Sequence, residues 1–175
     1  MNRLLWITAV LAAVALAQPP ALRQGIRVEM AVTSSAAPMR EADQAGARIV
    51  AITRGGDVYL EAAAITPAAL AEELRAARGA NVFVKADTNA PFARVAAVLS
   101  ALRSAGDGTA NFLTSQRDPA DGANAPPMGM SVSLGGLPDS REKVITLDSA
   151  GPMLFGDIVR ILDAARAAGA KVVLK

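Results

Sequence analysis

The closing stretch FGDIVRILDAARAAGAKVVLK, from Phe155 to Lys175, decides how the chain folds, because its pattern occurs twice. The first occurrence, FARVAAVLSALRSAGDGTANFL, begins at Phe92. Setting residues 92–106 against residues 155–169 gives 15 pairs without a gap, of which six are identical. These are Phe92/Phe155, Leu99/Leu162, Ala101/Ala164, Arg103/Arg166, Ala105/Ala168 and Gly106/Gly169. Alanine matches mean little in so alanine-rich a chain; the Phe, Arg and Gly matches carry the comparison. Apolar residues recur at helical spacing in both: Phe92, Val95, Val98 (or Leu99) and Leu102, then Phe155, Ile158, Ile161 (with Leu162) and Ala165. Each run stops at a glycine and is followed by a short apolar run. The apolar run before each ends in aspartate, Asp87 and Asp148, with Pro91 and Pro152 four residues on. The pattern predicts a partial internal duplication of a strand–Asp–helix–Gly–strand unit. Independent arrival at two amphipathic αβ units is the rival account.

Working outward, GIRVEMAV at residues 25–32 places Ile26, Val28, Met30 and Val32 at alternate positions, the period of a half-buried strand. Residues 33–46 are polar, small and interrupted by Pro38, which reads as a linker. ARIVAIT, RGGD and VYLE then read as strand, turn and strand, with Gly55 and Gly56 expected to supply positive φ. Thr66-Pro67 opens a helix, Thr66 as N-cap and Pro67 in the first turn, where a missing N–H costs nothing. Leu70, Leu74 and Ala77 give it one apolar stripe, and Gly79 ends it. NVFVKAD is a buried strand. Residues 116–130, rich in Pro, Gly, Ala and Asp, read as a second linker before the strands SVSL and KVITLD. The expected organisation is a domain at residues 25–115, a linker at 116–130 and a partial second copy of the unit at 131–175. The expected fold class is α/β (α+β), a mixed sheet with helices packed on one face.

The N-terminus has Arg3 and then 14 residues, 4–17, in which only Thr8 is polar. The run ends Ala15-Leu16-Ala17, before Gln18 and two prolines. A basic start, a short apolar centre and a small-x-small end make a signal peptide or a short membrane anchor. The run falls short of the roughly 20 apolar residues of a full span. Either reading puts the remainder across the membrane, with Arg3 holding the N-terminus inside. Membrane contact is then expected only through residues 1–17, if they stay uncleaved.

Composition removes several function classes. The 175 residues include no cysteine and no histidine, so Cys nucleophiles, thiolate metal sites and His bases are out. Eighteen Lys and Arg against sixteen Asp and Glu give a net charge of +2, with no basic block or basic–aromatic interleaving, so no nucleic-acid partner is expected. No catalytic, cofactor or metal residues are assigned. Asp87 and Asp148 could be paired catalytic carboxylates, but no nucleophile, base or oxyanion motif accompanies them. The simpler account is a structural turn or cap between strand and helix.

A hydrophobic N-terminal segment, a Pro-containing gap and GIRVEM, then ITRGGDVYLEAAAITPAALAEEL and VFVKADTNAPFARVAAVLSALRSAG, resemble the ExbD/TolR family in that order. The resemblance covers residues 25–114 and again 143–174. It implies a periplasmic α/β domain that forms a homodimer, exported or anchored at the inner membrane. It also implies partners such as an ExbB/TolQ-type subunit, a TonB-like protein or peptidoglycan, and no enzyme activity or cofactor. The family's transmembrane helix bears a proton-carrying aspartate, whereas residues 4–17 contain no acidic residue. Two readings follow from the resemblance: a non-catalytic binding or scaffold domain, or a membrane-anchored subunit of a proton-motive-force-coupled transport complex. For the first, Ile26, Val28 and Met30 are the candidate partner-binding edge strand.

Overall fold

A computed structural model describes residues 25–77, 79–116, 126–135, 144–147 and 152–174. The apolar leader, most of the second linker and Asp148 lie outside the described residues. The described chain builds one mixed sheet with three α-helices, the α+β architecture expected. The strands are β1 (Val32–Thr33), β2 (Ala37–Pro38), β3 (Arg48–Ile52), β4 (Val58–Leu60), β5 (Ala63–Ala64), β6 (Val82–Ala86), β7 (Thr109–Gln116), β8 (Met128–Ser133), β9 (Val144–Leu147) and β10 (Lys171–Leu174). The helices are α1 (Pro67–Ala76), α2 (Phe92–Ala105) and α3 (Phe155–Ala167). The sheet order is β5-β4-β3-β6-β7-β8-β10-β9, with β1 added to β7 and β2 to β8.

Local chemistry explains the elements. In the β3–β4 hairpin Thr53 closes the turn twice: its N–H donates to Asp57 O at 3.0 Å and its Oγ1 accepts from Asp57 N–H at 3.1 Å. Of the two glycines there, only Gly56 adopts positive φ, +87°. Its missing Cβ also leaves room for Arg94, whose Cγ would stand 2.6 Å from a side chain at that position. Thr66 caps α1, its hydroxyl accepting from Ala69 N–H at 3.3 Å, and Pro67 occupies the first turn as expected. Gly106 ends α2 in the left-handed conformation, φ +101°, with its N–H on carbonyls of the last turn.

All three helices pack on one face. Leu70 and Leu74 of α1, Val95, Val98 and Leu102 of α2, and Ile158, Val159 and Leu162 of α3 share one cluster with Val50, Val84, Phe112 and Met130 of the sheet. The Phe112 and Phe155 rings meet at 5.2 Å, tilted by 50°. Each fully buried aromatic contributes a few kcal/mol by leaving water.

The opposite face is where the sequence reading needs correction. Residues 33–46, expected as a linker, contain β2 and a 3-10 turn at Arg40–Asp43. Met39 and Ala42 from this segment bury Ile49, Phe83 and Leu113 on the back of the sheet. Gly129 lets Met39 in: a Cβ there would stand 2.5 Å from Met39 Sδ. The end of the second expected linker is likewise ordered, since Met128 to Met130 belong to β8.

The β6–α2–β7 and β9–α3–β10 segments are built alike. In both, a helix of 14 or 13 residues joins neighbouring parallel strands. Both lie in the same sheet, joined through β7, β8 and β10.

Candidate partner-binding surface

Residues 25–30 keep the burial alternation expected of a strand: Ile26, Val28 and Met30 are half-buried, Arg27 and Glu29 exposed. They do not form a ladder, however. Met30 makes a single antiparallel bridge to Asp87, and regular pairing begins only at β1, parallel to β7 at Ser115 and Gln116. The alternation slips at Ala31, which is buried, so Val32 is 51 % exposed rather than inward. The physical reason is a crossing. Thr88 N–H donates to Glu29 O at 2.7 Å and Ser115 N–H to Ala31 O at 2.9 Å, so the segment passes from the end of β6 to β7 within two residues.

Asp87 organises that crossing. Its Oδ1 accepts from Asn89 N–H at 2.9 Å and its Oδ2 from Glu29 N–H at 3.3 Å. Arg54, from the glycine turn, lies 3.6 Å from Asp87 Oδ1 and pairs with Glu29 at 3.0 Å. The carboxylate therefore meets backbone donors and a guanidinium, an arrangement that positions three segments. Asp148 cannot be compared with it, being outside the described residues. Among the described residues, no group of three or more His, Cys, Asp or Glu could hold a metal ion.

A second feature went unread in the sequence. On the back of the sheet Phe83, Asn111 and Ser131 stand side by side on β6, β7 and β8. They line a shallow cavity of about 300 Å³ with Met39, Glu41 and Arg166 at its walls. Ser131 Oγ donates to Asn111 Oδ1 at 2.8 Å, and Asn111 Nδ2 donates to Val82 O at 3.4 Å. The available signal was Asn111 itself, an amide set between the apolar Ala110 and Phe112 of β7.

Lys85 is the other unanticipated group. It is 1 % exposed and, by strand alternation, shares the back face with Phe83. Burial pushes its ammonium pKa below the ordinary lysine value.

A helix-backed mixed sheet with an ordered strap across its other face, and a glycine turn held to an aspartate, defines a small α+β domain. The family model for biopolymer transport protein ExbD/TolR matches residues 4–117, well over half of the chain, and the chain belongs to this family. Members of that family are non-enzymatic components of biopolymer transport systems, anchored in the inner membrane with a periplasmic domain. No curated protein and no solved structure matches the chain. No helix among the described residues is long and apolar enough to cross a membrane.

Proposed function

We propose that the chain is a non-catalytic periplasmic domain of the ExbD/TolR type, a binding or scaffold component of a biopolymer transport system. The observation that carries this reading is the continuous family match from residue 4, inside the apolar segment, through β7. Occupation of Asp87 by backbone donors and Arg54 supports a structural role for it. The partner is an extended segment of a TonB-like periplasmic protein, or peptidoglycan. Ile26, Val28 and Met30 offer half-buried side chains at alternate positions outside the regular ladder, which suits strand addition.

The second reading, a membrane-anchored subunit paired with an ExbB/TolQ-type channel and driven by protons, is favoured by the inclusion of the apolar segment in the match. It lacks an acidic residue in residues 4–17. Mass spectrometry of the mature protein separates the two. A first residue of Gln18 supports the exported domain. An intact N-terminus in the inner-membrane fraction, co-purifying with an ExbB/TolQ-type subunit, supports the motor subunit. Deleting residues 18–32 tests the edge. Lost partner binding with an intact fold supports it; collapse of the fold assigns Ile26, Val28 and Met30 to the core instead.

A further inference from the structure

The outer edge of β8 is divided between two strands. β2 pairs with it at Met128 and Gly129, and β10 at Ser133. Ser131 lies between them, and among the described residues its ladder partner is Asn111 of β7 alone. Antiparallel bonding fixes where its backbone points. Leu134 N–H donates to Gly108 O at 2.9 Å, so Leu134, Val132 and Met130 turn their N–H and C=O groups toward β7. Gly129, Ser131 and Ser133 turn theirs outward, where β2 meets the first and β10 the last. The Ser131 N–H and C=O therefore face an opening between two strands, with neither strand reaching them.

The back-face cavity adjoins this opening, since Ala37 of β2, Gly129 and Ser131 of β8, and Arg166 near the end of α3 all line it. Two opposite charges stand at its walls: Arg166, and Glu41 from the 3-10 turn after β2. They do not pair with each other, and among the described residues neither side chain has an ion-pair or hydrogen-bond partner. A cavity of about 300 Å³ has room for about two residues of extended chain at about 3.4 Å each. It lies at the Phe83 end of β6, whereas Met30 meets Asp87 just past the other end of that strand.

We propose that this cavity binds a short zwitterionic peptide, of dipeptide size. The ligand's carboxylate pairs with Arg166, its ammonium with Glu41, and its peptide unit with the outward Ser131 backbone, as a fragment of added strand. The two wall charges cancel, so the chemistry favours a ligand that carries both signs over a simple anion or cation. The open N–H and C=O of Ser131 favour a ligand with an amide of its own, which returns one acceptor and one donor. The site is separate from Ile26, Val28 and Met30, and it does not depend on which partner that edge takes.

The test titrates the full chain, in mild detergent, with L-alanyl-L-alanine by calorimetry. The same dipeptide acetylated and amidated at its ends is the uncharged comparison. Arg166→Gln and Glu41→Gln each remove one charge from an exposed side chain, and melting temperatures check that the fold is kept. The expected result is saturable one-to-one binding of the free dipeptide, weakened roughly tenfold by either substitution. The capped dipeptide should not bind. In the isotope-labelled chain the Ser131 amide signal should move on titration while that of Met30 stays. No saturable binding at millimolar dipeptide would overturn the proposal. So would equal binding of the capped form, an unchanged affinity in either variant, or an unmoved Ser131 signal.

Discussion

At the scale of a residue, Asp87 is the side chain whose replacement says most. It receives N–H groups from Asn89 and Glu29, and Arg54 beside it (3.6 Å from Oδ1) also holds Glu29. Asp87→Ala removes every acceptor and is expected to cost about 1–3 kcal/mol, the range for hydrogen bonds to a charged group that leave donors unmet. Asp87→Asn keeps one carbonyl oxygen for Asn89 and is expected to cost clearly less; urea unfolding of the two variants checks the order. A loss of partner-dependent transport in Asp87→Asn at unchanged stability would instead assign the carboxylate a chemical role. Lys85 gives a pH prediction. Its folded pKa is lowered by burial while its unfolded pKa stays near 10.4, so the unfolded chain binds more protons between those two values. Stability contributed at Lys85 therefore rises with pH across that window and is lowest below it. Denaturant unfolding of wild type and Lys85→Met from pH 7 to 10 should show the difference moving in favour of wild type. A flat difference would mean that burial does not perturb the amine.

At the scale of the element, the connection of α3 to the strap is the sharpest case. Two successive backbone N–H groups and the Ser35 hydroxyl converge on Asp163, a carboxylate from 128 residues away in sequence. Asp163→Ala is expected to lower stability by about 1–3 kcal/mol. It should also raise hydrogen exchange at Ser34 and Ser35 before that of β7, which exchange mass spectrometry resolves. Equal loosening of both would mean that the strap is held by its apolar contacts alone. Elements of this kind differ in how far the sequence exposes them. The helices were legible because their stripes, Thr66, Pro67 and Gly106 act within one or two turns. The alternation of Ile26, Val28 and Met30 was legible as burial but not as pairing, since the period says which side faces inward and nothing about whether a neighbour supplies a ladder. The strap was illegible because Met39 and Ala42 stand among Pro38, Arg40, Glu41 and Asp43, so two inward residues are masked by polar neighbours. The antiparallel bridge between Pro91 and Leu154 was illegible for another reason: it is made by backbone, which leaves no side-chain signature. The back-face cavity needs three strands in register before Phe83, Asn111 and Ser131 become neighbours.

At the scale of the whole molecule, one cluster of buried side chains runs from α1 through α2 to α3, with Val50 and Leu70 at one end and Ile158 and Leu162 at the other. A core shared in this way links the stability of the two halves, although the family match stops at residue 117 and α3 lies wholly beyond it. Phe92 and Phe155 sit in equivalent places on the two helices, 3 % and 0 % exposed. Truncating either to alanine removes a ring from that single core and is expected to cost about 3–5 kcal/mol. If the halves were separate domains, Phe155→Ala would melt only the C-terminal unit and leave a second transition at the wild-type temperature. In a continuous sheet joined through β7, β8 and β10, the expected outcome is one calorimetric transition in wild type and in both variants. Phe92→Ala and Phe155→Ala should shift that same transition downward by similar amounts. Two resolved transitions in either variant would show that the C-terminal unit is an appendage to the sheet rather than part of its cooperative core.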